Sequence, residues 1–316
     1  MFSHELNKYI PKPKIKTYKN VYFFNGKLYK FGRFEAYSKH WKMVEKTKLI
    51  KLRTLIKNVF KANNIPIKKI NYIQEAIFFT DEKSNYYFHW MLDSLQRLQL
   101  VDLKYKFEVR PPILIQEIHF KEMFIRNSLE YYNFDLKVLN EENLYKIKRL
   151  TIPFHLAQSG NFNVQIVNQI RNKFLSNLNK VDSYPKKIWI SRQNSRIRKI
   201  KNFSEIKNIL LNHGFKIIEI ENIENLNKQI EIINNADVIG GIHGGGLSNM
   251  LFLDEKKIVI EVRGRNDNHN NCYFSLSSAL NLKYYYFQAE VFNNNFYHDD
   301  YKINPSDFNK FLENIL

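Results

Sequence analysis

From residue 160 to the C-terminus the chain alternates short β-branched runs with segments of helical period, and this rhythm limits the fold more than any other feature. A helical segment near 163–178 leads to the run "KKIWIS". Helix 203–212 leads to "FKIIEI", helix 224–235 to "DVIGG", helix 245–253 to "KIVIEV", and helix 271–280 to "KYYYFQ". Mainly apolar strands separated by helices of about three turns pack as a parallel sheet covered on both faces. The closing segment, "NPSDFNKFLENIL", reads as a helix capped by Ser306 or Asp307.

The earlier half is less regular. A basic, proline-containing arm occupies the first 20 residues. Asn25-Gly26, between the β-rich flanks "VYFF" and "KLYKF", predicts a two-residue hairpin. Residues 41–62 read as a basic helix, "INYIQEAIFFT" as a strand, and "SNYYFHWMLDSLQRLQLVD" as a helix capped by Ser84 or Asn85. Strand "PPILIQ", helix 119–132, and strands "FDLKVL" and "IKRLTIP" complete this half. The boundary falls near "HLAQSGNF", residues 155–162, and gives two domains, 1–160 and 161–316.

Five of the chain's ten glycines stand within residues 240–246, in "ADVIGGIHGGGLSNMLFL". The order is strand, glycine turn, helix, and in a doubly wound sheet that junction lies on the ligand-binding carboxyl edge. Glycine lets a phosphate approach the backbone, and a helix N-terminus offers unpaired N–H groups to it. Gly244, Gly245 and Gly246 are therefore candidate donors, with His243 and Asn249 adding side-chain contacts. Glu261, at the end of the next strand, is either placed to accept the hydroxyls of a ribose or is a strand-end charge facing water. The pattern is neither the dinucleotide fingerprint nor a P-loop, and a tight packing turn is the competing reading.

Arg192, Arg196 and Arg198 follow the strand "WIS" in a chain that otherwise prefers lysine. Guanidinium forks match diphosphate oxygens, so this loop is a candidate clamp, against the plainer reading of a solvated basic loop. Asn202 and Glu205 after it have capping-box spacing. In the first half, His89, Asp93 and Arg97 recur every four residues opposite Leu92, Leu95 and Leu98. Such a His and carboxylate one turn apart can form an oriented base, or can be an ordinary pair on a wet helix face.

Taken in order, "NYYFHWMLDSLQRL", "ISR" with "RKIKNFSEI", and "GIHGGGLSNMLFL" with "VIEV" resemble glycosyltransferase family 61 over roughly residues 70–290. The resemblance implies an α/β, GT-B-like architecture: two Rossmann-like lobes with the active-site cleft between them, the last helix packing back on the first lobe. It implies an inverting transfer of sugar from a nucleotide-sugar, a UDP-sugar above all, to a glycan hydroxyl. Asp93 and His89 match the family's first-lobe helix and become base and orienter, with Asp93 preferred as base. Arg192 and Arg198 match the arginine motif, with Arg196 an extra, and His243, Gly244, Gly246 and Asn249 match the glycine turn. Neither a cofactor nor a metal is expected, and "HDDY" at 298–301 is not an Asp-x-Asp motif. Gln96 stands where the family usually has Pro, Phe203 where it often has Glu, and Gly245 where Ala is common.

The net charge of +18 fits either compositional drift or an anionic partner. Cys272 is the one cysteine, which excludes an internal disulfide and a cysteine-rich zinc module. The start, "MFSHELNKYIPKPKIK", lacks the apolar core of a secretory signal, and no apolar run approaches about 18 residues. A bacterial, cytoplasmic enzyme of cell-surface glycan synthesis is expected, acting on a lipid-linked acceptor of capsule or O-antigen type, with its basic surface against anionic inner membrane. A silent glycan- or nucleotide-binding relative is the first alternative. A nucleic-acid-binding protein is the second, although the stacked aromatic and basic motifs of common RNA modules are missing.

Overall fold

The computed structural model describes residues 10–24, 26–30, 32–35, 47–50, 69–176, 178, 183–223, 225–267, 271–291 and 298–316. Among these residues the chain divides into two compact units, 10–159 and 160–316.

The first unit is built on a six-stranded mixed sheet. Its strands are β1 (Ile15–Phe24), β2 (Lys27–Lys30), β5 (Ile70–Ile77), β6 (Ile113–Gln116), β7 (Leu136–Leu139) and β8 (Leu144–Pro153), in the order β2-β1-β8-β5-β6-β7. Phe24 pairs with Lys27, so a two-residue turn joins β1 to β2. Gly26 has φ +68°, as such a turn demands; Asn25 lies outside the described residues. Most of the expected helix 41–62 also lies outside them. Thr47–Ile50 within it is a strand, β4, paired antiparallel with β3 (Gly32–Glu35). Val21, Phe23, Ile73, Ala76, Leu114 and Ile147 form the core of this unit.

The second unit carries the expected strand-helix alternation. Its strands are β9 (Lys187–Ile190), β10 (Lys216–Ile218), β11 (Val238–Ile242), β12 (Ile258–Gly264), β13 (Lys283–Val291) and β14 (Tyr301–Lys302), in the order β10-β9-β11-β12-β13-β14. The first five are parallel and β14 closes the edge antiparallel. Strand order therefore reverses between β9 and β11. Their carboxyl ends form a topological switch point, the place where doubly wound sheets bind ligands. Trp189, Ile206, Leu210, Val238, Ile260 and Phe308 are among the residues of its core.

Three local expectations give way. The segment after the glycines, Gly245–Phe252, is a 3-10 helix rather than an α-helix. Asn202 makes no capping bond to its helix, Phe203–Asn212; its amide instead bonds both backbone groups of Ile303. The final helix, Pro305–Ile315, is capped by Asn304, not Ser306 or Asp307. It buries Phe308 and Leu312 in the core of its own unit. Among the described residues no helix is long and apolar enough to cross a membrane.

Candidate functional site

In the first unit the helix begins at Tyr87–His89 without a side-chain cap, widens to a π-helix over Trp90–Ser94 and continues as an α-helix over Leu95–Lys104. The expected cap Ser84 instead bonds the Asp81 amide and the Ser94 hydroxyl. The wide turn closes with the Leu95 amide on the Trp90 carbonyl. Single π turns recur at functional positions because they re-aim side chains without ending a helix. Gln96, in place of the Pro implied by the resemblance, donates its side-chain amide to the Leu92 carbonyl at 2.5 Å.

His89 and Asp93 meet as the spacing predicts: Nδ1 lies 2.8 Å from Oδ2. The same Oδ2 accepts from the Ser159 hydroxyl at 2.6 Å. The Asp93 side chain is 5% exposed and that of His89 21%. The pair is therefore not on a wet helix face. The stripe is buried, and its third member points elsewhere: Arg97 Nη2 lies 2.8 Å from Asp81 Oδ2, with side chains 0% and 2% exposed. His155 Nε2 approaches the same Asp81 oxygen at 3.0 Å. Burial alone would raise the Asp81 carboxyl, but Arg97 and His155 together hold it well below the usual carboxylate range. Burial pushes His119 down to about 4, and it pushes His155 down as well, with Arg97 adding to both.

In the second unit, three of the five glycines are explained by packing. A Cβ on Gly240 would stand 2.8 Å from the Trp189 ring, one on Gly241 3.0 Å from the Ile190 carbonyl, and one on Gly246 2.8 Å from Ile190 Cγ2. Gly244 has a different neighbour: its Cβ would stand 2.8 Å from the guanidinium carbon of Arg192. In front of Gly245, among the described residues, no atom outside its own turn stands within 4 Å. The close approach that the glycines permit is thus mostly that of β9, with an arginine over Gly244 and open space at Gly245. The first 3-10 bond, Leu247 N–H to Gly244 C=O, leaves the two preceding amides outside the helical ladder. The Tyr273 hydroxyl clamps the turn from behind, donating to the Gly244 carbonyl at 2.6 Å.

Arg192 bonds the Ser195 hydroxyl at 2.9 Å. Burial, and Arg198 nearby, lower its pKa. The Nε atoms of both arginines are buried without a hydrogen-bond partner, and neither arginine has an ion pair among the described residues. Arg198 also sits at φ +57°, a left-handed conformation uncommon outside glycine and asparagine. Its loop is held by the end of the chain: the Lys199 amide bonds Asp300, Lys201 N–H bonds the Tyr301 carbonyl, and Tyr301 N–H bonds the Lys199 carbonyl. Arg196 is exposed.

Two expected ligand contacts are used internally. Glu261 is fully buried; one carboxylate oxygen meets His243 Nδ1 and the other accepts from the Tyr284 hydroxyl, so the carboxylate expected on a ribose is already occupied. Asn249 is also fully buried and donates to the Gly246 carbonyl at 2.8 Å, holding the turn rather than facing outward. Sequence reasoning missed Ser159, Asp81 and His155, of which Ser159 and His155 lie in the stretch read as a domain boundary. It also missed Ser195, Tyr273 and Tyr284. Little in a lone Ser or Tyr signals such a role, because these are contacts across strands and loops.

A sequence profile of the Glycosyltransferase 61 family matches residues 87–260, more than half of the chain and a span that holds His89, Asp93, Arg192, Arg198 and the glycine turn. Among curated proteins, the chain is similar to the EGF domain-specific O-linked N-acetylglucosamine transferase of Gallus gallus, 27% identical over 95 residues. It is also similar to the beta-1,2-xylosyltransferase XAX1 of Oryza sativa subsp. japonica, 30% identical over 78 residues. These stretches cover 30% and 25% of this chain but only 16% and 13% of the two relatives.

Proposed function

The chain belongs to the glycosyltransferase 61 family, and from that premise we propose that it is a GT-B glycosyltransferase moving sugar from a nucleotide-sugar to a glycan hydroxyl with inversion. One observation carries the reading. At the switch point of the second sheet, Arg192 and Arg198 lie close together with no ion pair among the described residues, Glu221 acting on Arg192 only from a distance, beside a glycine turn open at Gly245. Two partly desolvated guanidiniums repel each other, and a bound diphosphate relieves that repulsion with charge-assisted bonds. They then stabilise the charge that grows on the leaving diphosphate, which is the task a metal performs in other transferases.

We prefer His89 to Asp93 as the base. Its buried Oδ2 already receives two donors, whereas His89 is the more exposed partner. We assign His89 the acceptor proton and Asp93 the orientation of the imidazole. The acceptor oxygen bonds the anomeric carbon, the carbon–diphosphate bond breaks, and the hydroxyl proton passes to His89. A UDP-sugar is the proposed donor, bound without a metal. A bacterial lipid-linked saccharide is the proposed acceptor, met at the cytoplasmic face of an anionic membrane; the net charge of +18 supports that surface.

Isothermal titration with UDP, GDP, CMP and dTDP, each with and without EDTA, tests the donor site. Wild type binds at least one nucleotide regardless of EDTA, and Arg192→Ala with Arg198→Ala abolishes binding. Silence of the wild type toward all four would overturn the reading.

A further inference from the structure

Register places three side chains on one face of the second sheet. Gly241 pairs with Glu261, so His243, two residues on, lies diagonal to Glu261 on the same face. Val259 pairs with Tyr284 and Glu261 with Tyr286, so Tyr284 is the other diagonal neighbour of Glu261. The contacts follow from that geometry: His243 Nδ1 on one carboxylate oxygen, the Tyr284 hydroxyl on the other, all under a fully buried Glu261. The His243 amide continues the ladder to the Val262 carbonyl at 2.9 Å, and Tyr273 packs edge-on against the ring with centroids 5.1 Å apart. Backbone, ring face and Nδ1 are all fixed.

We propose that Glu261, backed by Tyr284, is a positioning residue that holds the proton of His243 on Nδ1 and so sets how His243 meets the donor diphosphate; this rests on the donor-site reading above. The carboxylate accepts only, and Tyr284, held protonated by burial and by the adjacent Glu261, donates to it. The second bond at Glu261 therefore comes from a proton on Nδ1. Any contact of His243 with the donor is then made by the opposite edge of the ring. Its orientation is set before binding, so the donor need not select a tautomer. Glu261 thus acts through His243 and never touches the ribose. Arg263, on the same face, bonds Asn271 and Asp267 and holds the far side of this buried layer.

The test combines a double-mutant cycle with NMR of the ring nitrogens. UDP affinity is measured for wild type, Glu261→Gln, His243→Ala and the double variant. We expect Glu261→Gln to weaken UDP about tenfold in wild type and not at all in the His243→Ala background. An equal loss in both backgrounds makes Glu261 a direct ligand contact and overturns the proposal. Nitrogen-15 shifts of His243 in the nucleotide-free protein give the second arm. The proton resides on Nδ1 in wild type, and in Glu261→Gln and Tyr284→Phe it redistributes between the two nitrogens. A proton on Nε2 alone in wild type overturns the proposal whether or not UDP binds. Failure of wild type to bind any nucleotide with Nδ1 still protonated overturns the donor assignment instead. Matching melting temperatures for wild type and Tyr284→Phe separate the effect from loss of fold.

Discussion

The two candidate sites solve opposite electrostatic problems. Around Asp93 every charge has a counterpart: His89 and Ser159 meet Asp93, and Arg97 and His155 meet Asp81. At the switch point of the second sheet, Arg192 and Arg198 have no ion pair among the described residues. A group that must take a proton at a defined moment needs its geometry fixed beforehand, and a closed network does that. A group that must hold a visiting anion needs its valence left open.

Substitutions on the two sides should therefore fail differently. The largest effect is expected from His89→Ala, which lowers the transfer rate by about 10²–10⁴-fold while UDP affinity holds, as steady-state kinetics beside titration will read. Equal losses in both would erase the distinction between the sites. Next comes Arg97→Ala, which strips the buried Asp81 carboxylate of its guanidinium, leaving His155 as its charged neighbour, and costs about 3–5 kcal/mol in urea unfolding. Arg192→Ala is expected to do the reverse: UDP binding weakens about 10–100-fold, while stability stays level or rises because a like-charge contact is relieved. Gly244→Ala pushes the Arg192 guanidinium aside and weakens UDP several-fold, whereas Gly245→Ala meets no atom within 4 Å and leaves stability unchanged.

The smallest effect is a pH slope. Burial pushes folded His119 down to about 4, whereas the unfolded side chain titrates near the ordinary histidine value of 6.5. Between those values the unfolded chain takes up the proton and the folded one does not. Stability is complete above 6.5 and falls as the pH drops toward about 4, at up to about 1.4 kcal/mol per pH unit. His155 is shifted in the same direction. Urea midpoints from pH 7 to pH 5 should show the decline, and His119→Gln should flatten it.

The same contrast explains what the sequence could tell. Periodicity revealed the parallel strands, since burial on both faces writes itself into composition, and the paired strands β9–β13 follow that reading. It also revealed His89 with Asp93, because both lie on one helix at a fixed offset. It did not reveal that Glu261 is spent on His243, because that contact depends on strand register. Nor could it show that Gly240, Gly241 and Gly246 serve β9, since a glycine makes room for a neighbouring strand and for a phosphate alike. The 3-10 form of Gly245–Phe252 also lay beyond pattern reading: its apolar spacing suits an α-helix, and the close turn decides otherwise.

The bonds between residues 199–201 and 300–301 carry a last consequence. Ile200 bridges to Tyr301 at the far edge from β9, so the arginine-bearing segment must stretch over the strand ends like a seat belt. The buckle lies sixteen residues from the C-terminus. Losing the bonds to residues 300–301 would slacken the stretch that carries Arg198, so the anchorage of that loop is set a hundred residues further along the chain.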